Sequence, residues 1–171
     1  VYRAKGNVTV TRENIIIRAD EVIFRELEGE VIAQGNVFFT DGENTIEAER
    51  IEIQIDEKKG VIYNGKGEFP EKKKGYRAPI KYYVYGKRIE KYEEEAFTIE
   101  DGYLTTCRCD DVREAGWVFY IDRADLTVNG MAWIKGLWVY IRNRPVFYLP
   151  YGVLPVKIVR QTGFLTPTFA N

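Results

Sequence analysis

Cys107 and Cys109 stand one residue apart and Asp110-Asp111 follow at once, so this short stretch concentrates side chains that could do chemistry. Two thiolates could hold a metal or close a disulfide, and two adjacent carboxylates could act as an acid–base pair. Neither set is complete. The 171 residues include no His and no third Cys, which removes Ser-His-Asp and Cys-His nucleophiles, His metal ligands and any unperturbed titrator near neutral pH. A bridge closed across one residue reads as strained, because alternate strand residues sit near the upper limit of Cα separation for a disulfide. Asp110-Asp111 reads as a solvated loop, and the other acidic residues mostly flank turns or alternate with Lys. The expectation is a protein that is not an enzyme and holds neither cofactor nor metal.

Composition narrows the class further. Twenty-five Lys and Arg against 26 Asp and Glu leave a formal charge of −1 with the signs interleaved, so no basic field points to a nucleic acid. The 45% apolar share is enough for a real core, and 12 Tyr, nine Phe and three Trp suit strands. No window approaches the roughly 20 continuous apolar residues of a membrane-spanning helix. Val1 at the start and the apolar stretch before Asn171 read as a piece of a longer protein, with residues 1–155 one domain and 156–171 a connection onward.

The elements that must position these residues are strands. Ala4-Lys5-Gly6-Asn7-Val8-Thr9-Val10-Thr11 recurs as Ala33-Gln34-Gly35-Asn36-Val37-Phe38-Phe39-Thr40, and the shift of 29 carries on from Ile17 to Ile46 and from Ala19 to Ala48. A weaker third copy starts at Val61-Ile62-Tyr63-Asn64-Gly65. Positions apolar in both full copies are Val8/Val37, Val10/Phe39, Ile17/Ile46, Ala19/Ala48, Val22/Ile51 and Phe24/Ile53, mostly two apart, which is the period of a half-buried strand. Turn signals at Arg12-Glu13-Asn14, Glu28-Gly29-Glu30, Asp41 to Asn44 and Glu57 to Gly60 separate them. The step from Ile17 through Ala19 to Val22 breaks alternation and predicts a bend or bulge that folds each repeat into two facing walls. One apolar face per strand cannot be buried by a single repeat, so the repeats must stack. The expected fold is all-β, a V-shaped open β-jelly roll or β-solenoid of stacked antiparallel strand pairs, with no substantial helix.

Further along, Glu71 to Lys74 reads as a solvated turn and Ala78 to Tyr85 as an aromatic strand ended by Gly86. Lys87 to Glu95 fits a strand better than a short helix. Asp101-Gly102, Asn129-Gly130 and Lys135-Gly136 read as hairpin signals between apolar strands. Pro145, Pro150 and Pro155 cannot donate to a ladder, so the regular sheet is expected to end here or become an edge.

Gly-Asn-Val followed by Ile-x-Ala-Asp/Glu, at Gly6 to Asp20 and at Gly35 to Glu49, resembles the periplasmic domain of lipopolysaccharide-transport proteins. Thr105-Thr106-Cys107, Trp117, the block Pro145-Val146-Phe147-Tyr148-Leu149-Pro150-Tyr151 with Leu154-Pro155, and Gly163-Phe164-Leu165-x-Pro167 are similar in order and spacing to the family's outer-membrane assembly member, where its periplasmic domain runs into a β-barrel. The resemblance implies stacked strands whose slot holds lipid acyl chains and passes them to that barrel, driven by ATP hydrolysis elsewhere. It also implies lipopolysaccharide, a soluble bridge protein and a barrel-plugging lipoprotein as partners, at the periplasmic face of the outer membrane.

The expected lining is Val8, Val10, Ile17, Val22, Phe24, Val37, Phe39, Ile46, Ile51 and Ile53, with Phe119, Ile121, Trp133 and Trp138 further along. The plainer alternative is that they fill an ordinary β-core. The first strand, with Lys5, Gly6, Asn7, Val8, Thr9 and Val10, is expected to be an open edge that the bridge protein extends. By the resemblance, Cys107 matches a position bonded to cysteines in the barrel. Cys109 departs from that pattern, and whether it shares the role, substitutes for another Cys or stays free is left open. A soluble bridge protein or a purely structural solenoid would share the repeat.

Overall fold

A computed structural model of the chain describes residues 1–12, 14–71, 79–93, 95–127 and 130–155. Ten strands form one antiparallel sheet in strict sequence order. They are β1 (Tyr2–Arg12), β2 (Ile15–Arg25), β3 (Glu30–Thr40), β4 (Thr45–Gln54), β5 (Lys59–Glu71), β6 (Ile80–Lys91), β7 (Ala96–Thr105), β8 (Trp117–Thr127), β9 (Met131–Ile141) and β10 (Arg144–Pro155). Two single 3-10 turns, Glu26–Glu28 and Val112–Glu114, are the only helical pieces among the described residues. The expected all-β architecture of strand pairs is what forms. Glu13, the 72–74 part of the expected turn, Ala78, Glu94, Val128, Asn129 and the 156–171 connection lie outside the described residues.

Each strand is long because the chain bends within it rather than turning back. In β1 and β3 the bend is a bulge: Gly6-Asn7 and Gly35-Asn36 have φ of 89°, 47°, 75° and 46°. Two residues there oppose a single residue of the neighbouring strand, between Lys5 and Val8 and between Gln34 and Val37. Gly35 is required twice over, since a side chain would be strained at its φ and a Cβ would sit 2.5 Å from Asp20 Oδ2. The pairing of β2 slips at the same level, between Arg18 and Glu21, beside Ala19, as the broken alternation predicts.

This line of bends runs on through Asn64, Asp101 and Gly136, all with positive φ in mid-strand. Asp101-Gly102 and Lys135-Gly136 are therefore not hairpin turns: β7 and β9 pass straight through them. Gly86 likewise lies inside β6, where it faces Gly65 of β5 and Gly102 of β7. Residues with access to left-handed φ serve a bend inside a strand as readily as a two-residue turn, which is why these signals misplace the strand ends. Gly130 does close a turn, donating its N–H to the Thr127 carbonyl at 2.9 Å. Lys87 to Lys91 belongs to β6, as a strand. Among the described residues the proline-bearing β10 is the last strand of the sheet, an edge.

Candidate functional site

Directly opposed residues on neighbouring antiparallel strands share a face, so the register traces rows across the whole sheet. One row, on the first side of the bend, runs Val10, Ile17, Phe39, Ile46, Gly67, Val84, Leu104, Phe119, Val139, Phe147. Beyond the bend a second runs Ala4, Val22, Ala33, Ile51, Ile62, Ile89, Ile99, Ala124, Ile134, Gly152, and a third runs Tyr2, Phe24, Val31, Ile53, Gly60, Lys91, Phe97, Leu126, Ala132, Leu154. Of these 30 positions, one is charged.

The two sides of the bend fold towards each other. Ala19, Val22, Ala33, Val37, Ala48 and Ile51 are buried in one cluster, and Ile17 and Phe39 from one arm pack on it together with Val31 and Ile53 from the other. Between the arms, over β3 to β7, an open cavity of about 570 Å³ is lined by Phe39 and Ile46 on one side and by Ile53, Ile62, Ile89 and Phe97 on the other. An apolar trough of this kind gains roughly 0.8 kcal/mol for each methylene it removes from water. Asp41, Glu52, Lys58, Lys59 and Lys91 also line it.

Twelve of the fourteen expected lining residues lie on this inner face. Val37 and Val22 are buried, Val8, Ile17, Phe24, Phe39, Ile46, Ile53 and Ile121 are half-buried, and Val10 and Phe119 are more open. Ile51 is buried as well. Trp133 and Trp138 are a correction. Trp138 is opposed by Tyr120 and Tyr148, and Trp133 by Asp125 and Val153, which places both on the outer face. They sit at odd positions relative to Ile134 and Leu137, and only the full register shows which phase of alternation β9 follows after its bend at Gly136. Residues not singled out from the sequence include Ile62, Ile89, Ile99 and Leu104. Ile62 was within reach through the third copy of the repeat, but the others needed the strand through Gly86 and Asp101-Gly102 to be continuous.

The outer face is polar near β1 and aromatic near β10. Thr9, Arg18, Phe38, Glu47, Lys66, Tyr85, Tyr103, Tyr120, Trp138 and Tyr148 form one row, with ring centroids 5.2 Å apart for Tyr85–Tyr103 and 4.3 Å for Trp138–Tyr148. Burial, and the neighbouring hydroxyls of Tyr120 and Tyr85, push the Tyr103 phenol above its ordinary range. The next two outer rows carry the interleaved charges as ion pairs, among them Arg88–Glu90 at 2.7 Å and Arg123–Asp125 at 2.9 Å. The second of these pairs, with a 2.7 Å bond from Thr98, holds the Asp125 carboxyl below its usual range despite partial burial. This is the solvated face the charge pattern implied, and such pairs add little each.

The expected partner strand is at the other edge. Among the described residues β1 pairs only with β2, and Lys5, Gly6, Asn7, Thr9 and Val10 are exposed while Val8 is half-buried. Cys107 and Cys109 are joined to each other, with Cα atoms 5.3 Å apart. The strain argument fails because they lie in the connection after β7, not on a strand, and 5.3 Å is within ordinary disulfide range. Asp111 caps the following turn, accepting from the Arg113 N–H at 3.0 Å, and the Arg113 guanidinium holds its carboxyl down to about 2. No group of three or more potential metal ligands occurs among the described residues.

No family model matches the chain. The LPS-assembly protein LptD of Vibrio cholerae is 32% identical over 165 residues, 95% of this chain and 20% of that protein. LptD of Photobacterium profundum is 31% identical over 175 residues, again 95% of this chain and 20% of the relative. Over this stretch the chain is a homologue of LptD. It spans about a fifth of the length of the LptD proteins it matches. LptD of Aromatoleum aromaticum is 27% identical over 172 residues, 96% of this chain. Among solved structures, that of LptH, the LptA homologous periplasmic component of the lipopolysaccharide transport device of Pseudomonas aeruginosa, covers 91% of this chain and 89% of its own, at a TM-score of 0.49 and 14% identity.

Proposed function

We propose that this chain is the periplasmic domain of an LptD-type protein and moves lipopolysaccharide without catalysis. The acyl chains ride in the trough between the two arms, with sugars and phosphates outside, and pass from a periplasmic bridge towards a β-barrel that follows residue 155 through the 156–171 connection. The observation that carries this reading is the inner face itself: three apolar rows crossing all ten strands, left open by about 570 Å³ between the arms, in a chain homologous to LptD along nearly its whole length. An ordinary core of this size would close over its face.

The exposed edge of β1 receives the last strand of an LptA-like bridge protein by β-augmentation, so that one trough continues into the next. A plug lipoprotein of the LptE kind is reached through the barrel. The domain then stands at the periplasmic face of the outer membrane.

Lipid extraction and mass spectrometry of the purified domain test the reading. Co-purified lipid A species are expected, and their loss on Ile53→Asp with the fold retained. A domain that carries no amphiphile after expression in a lipopolysaccharide-producing host would favour a structural solenoid instead.

A further inference from the structure

The third inner row contains the one charged residue of the 30 row positions, Lys91, and Asp41, Lys58 and Lys59 line the same cavity. Lys91 is opposed by Gly60 on β5 and Phe97 on β7, and its Nζ lies 5.9 Å from the Phe97 ring centroid, so the ammonium stays on the inner side. Lys91, Gly60 and Phe97 all line the cavity, at the end where the arms open by the β4–β5 connection.

Among the described residues no carboxylate forms an ion pair with Lys91. The neighbouring Lys59, at the same mouth, is already bonded to Glu57 at 2.6 Å. A cation set in an apolar row without an anion loses hydration for nothing in return, and a long aliphatic stem lets it reach the rim instead. A bound anion would supply the missing partner.

We infer that Lys91 is a headgroup contact: it binds the phosphate of an anionic amphiphile whose acyl chain lies in the cavity against Ile53, Ile62 and Ile89. The inference rests on the lipid-trough reading and adds to it an anchor that sets which end of the lipid faces the mouth. Charge and shape choose the occupant together, since the trough takes a hydrocarbon chain and the rim, where Asp41, Lys58 and Lys59 also stand, offers the Lys91 ammonium to its polar end.

Decyl phosphate and decyl glucoside, both below their micelle concentrations, separate the two ideas by calorimetric titration of the folded domain. The wild type is expected to bind decyl phosphate about tenfold more tightly, the scale of one charge-assisted hydrogen bond. Lys91→Gln should bring the two affinities together without weakening decyl glucoside, Lys91→Arg should keep the preference, and both should match the wild type in circular dichroism. Millimolar inorganic phosphate should not compete. An undiminished preference in Lys91→Gln overturns the role of Lys91 while leaving the trough intact, and competition by inorganic phosphate overturns the amphiphile as occupant. Binding of neither probe by the wild type overturns the trough reading and this inference with it.

Discussion

Asn36 donates from Nδ2 to Asp20 Oδ2 at 2.8 Å, across the bend that divides the two arms of the sheet. Asn64 repeats the contact one strand pair on, donating to Glu49 Oε2 at 2.6 Å. The recurring Gly-Asn and Ala-Asp/Glu are therefore two halves of one device. An amide in left-handed backbone bends the odd strand, with a bulge in β3 and an unbroken register in β5, and the acid of the even strand ties it down.

Replacing Asn36 should show both parts. Asn36→Val puts a β-branched residue at φ 46° and removes the bond. Together these are expected to cost about 2 to 3 kcal/mol in urea unfolding. Asn36→Gly keeps the backbone free and should cost about 1 kcal/mol or less. Equal losses for the two would mean that the left-handed conformation is not what selects Asn.

Gly35 and Asp20 should be coupled. Gly35→Ala meets the Asp20 carboxylate, so its cost should fall in an Asp20→Ala background by about 1 kcal/mol, beyond the strain that any side chain has at its φ. A double-mutant cycle that closes additively would separate the two residues.

These contacts explain how much could be read beforehand. The period of 29, the inner positions from Val8 to Ile53 and the bend beside Ala19 are legible because repeats 1 and 2 share register and residue type. In the second half the bends persist but their residues change, to Asp101-Gly102 and Lys135-Gly136, which local chemistry cannot tell from hairpins. Once Lys135-Gly136 is taken as a turn, the phase of β9 is lost, and Trp133 and Trp138 are assigned to the wrong face. Strand geometry does not apply to Cys107 and Cys109, because the connection after β7 brings their Cα atoms to 5.3 Å.

The edge of β1 can be probed with proline. N–H groups alternate between the β2 side and the open side along an antiparallel edge, so one of Thr9→Pro and Val10→Pro removes an outward donor only. That variant should keep its melting curve and lose capture of an LptA-like bridge protein. Capture unchanged in both variants would rule out β-augmentation at β1.

The connection carrying the cysteines has its own pH signature. Arg113 lowers the Asp111 carboxyl from 3.8 to about 2. A depressed carboxyl favours the folded turn above the ordinary value and loses that contribution as pH falls through the folded one, so the turn should hold at pH 4 and loosen towards pH 2. Carboxyl carbon NMR should place the Asp111 midpoint near 2, moving back towards 3.8 in Arg113→Ala. A midpoint near 3.8 in the wild type would mean that the Asp111–Arg113 pair does not persist in solution.

The central claim is that lipid travels on the inner face and not the outer. Site-specific photo-crosslinking in cells tests it most directly, with a benzophenone side chain at Phe39 or Ile53 inside and at Tyr103 or Trp138 outside. Lipopolysaccharide adducts are expected from both inner positions and from neither outer one. Adducts from Trp138 with none from Ile53, while an upstream transport component crosslinks normally, would contradict the account.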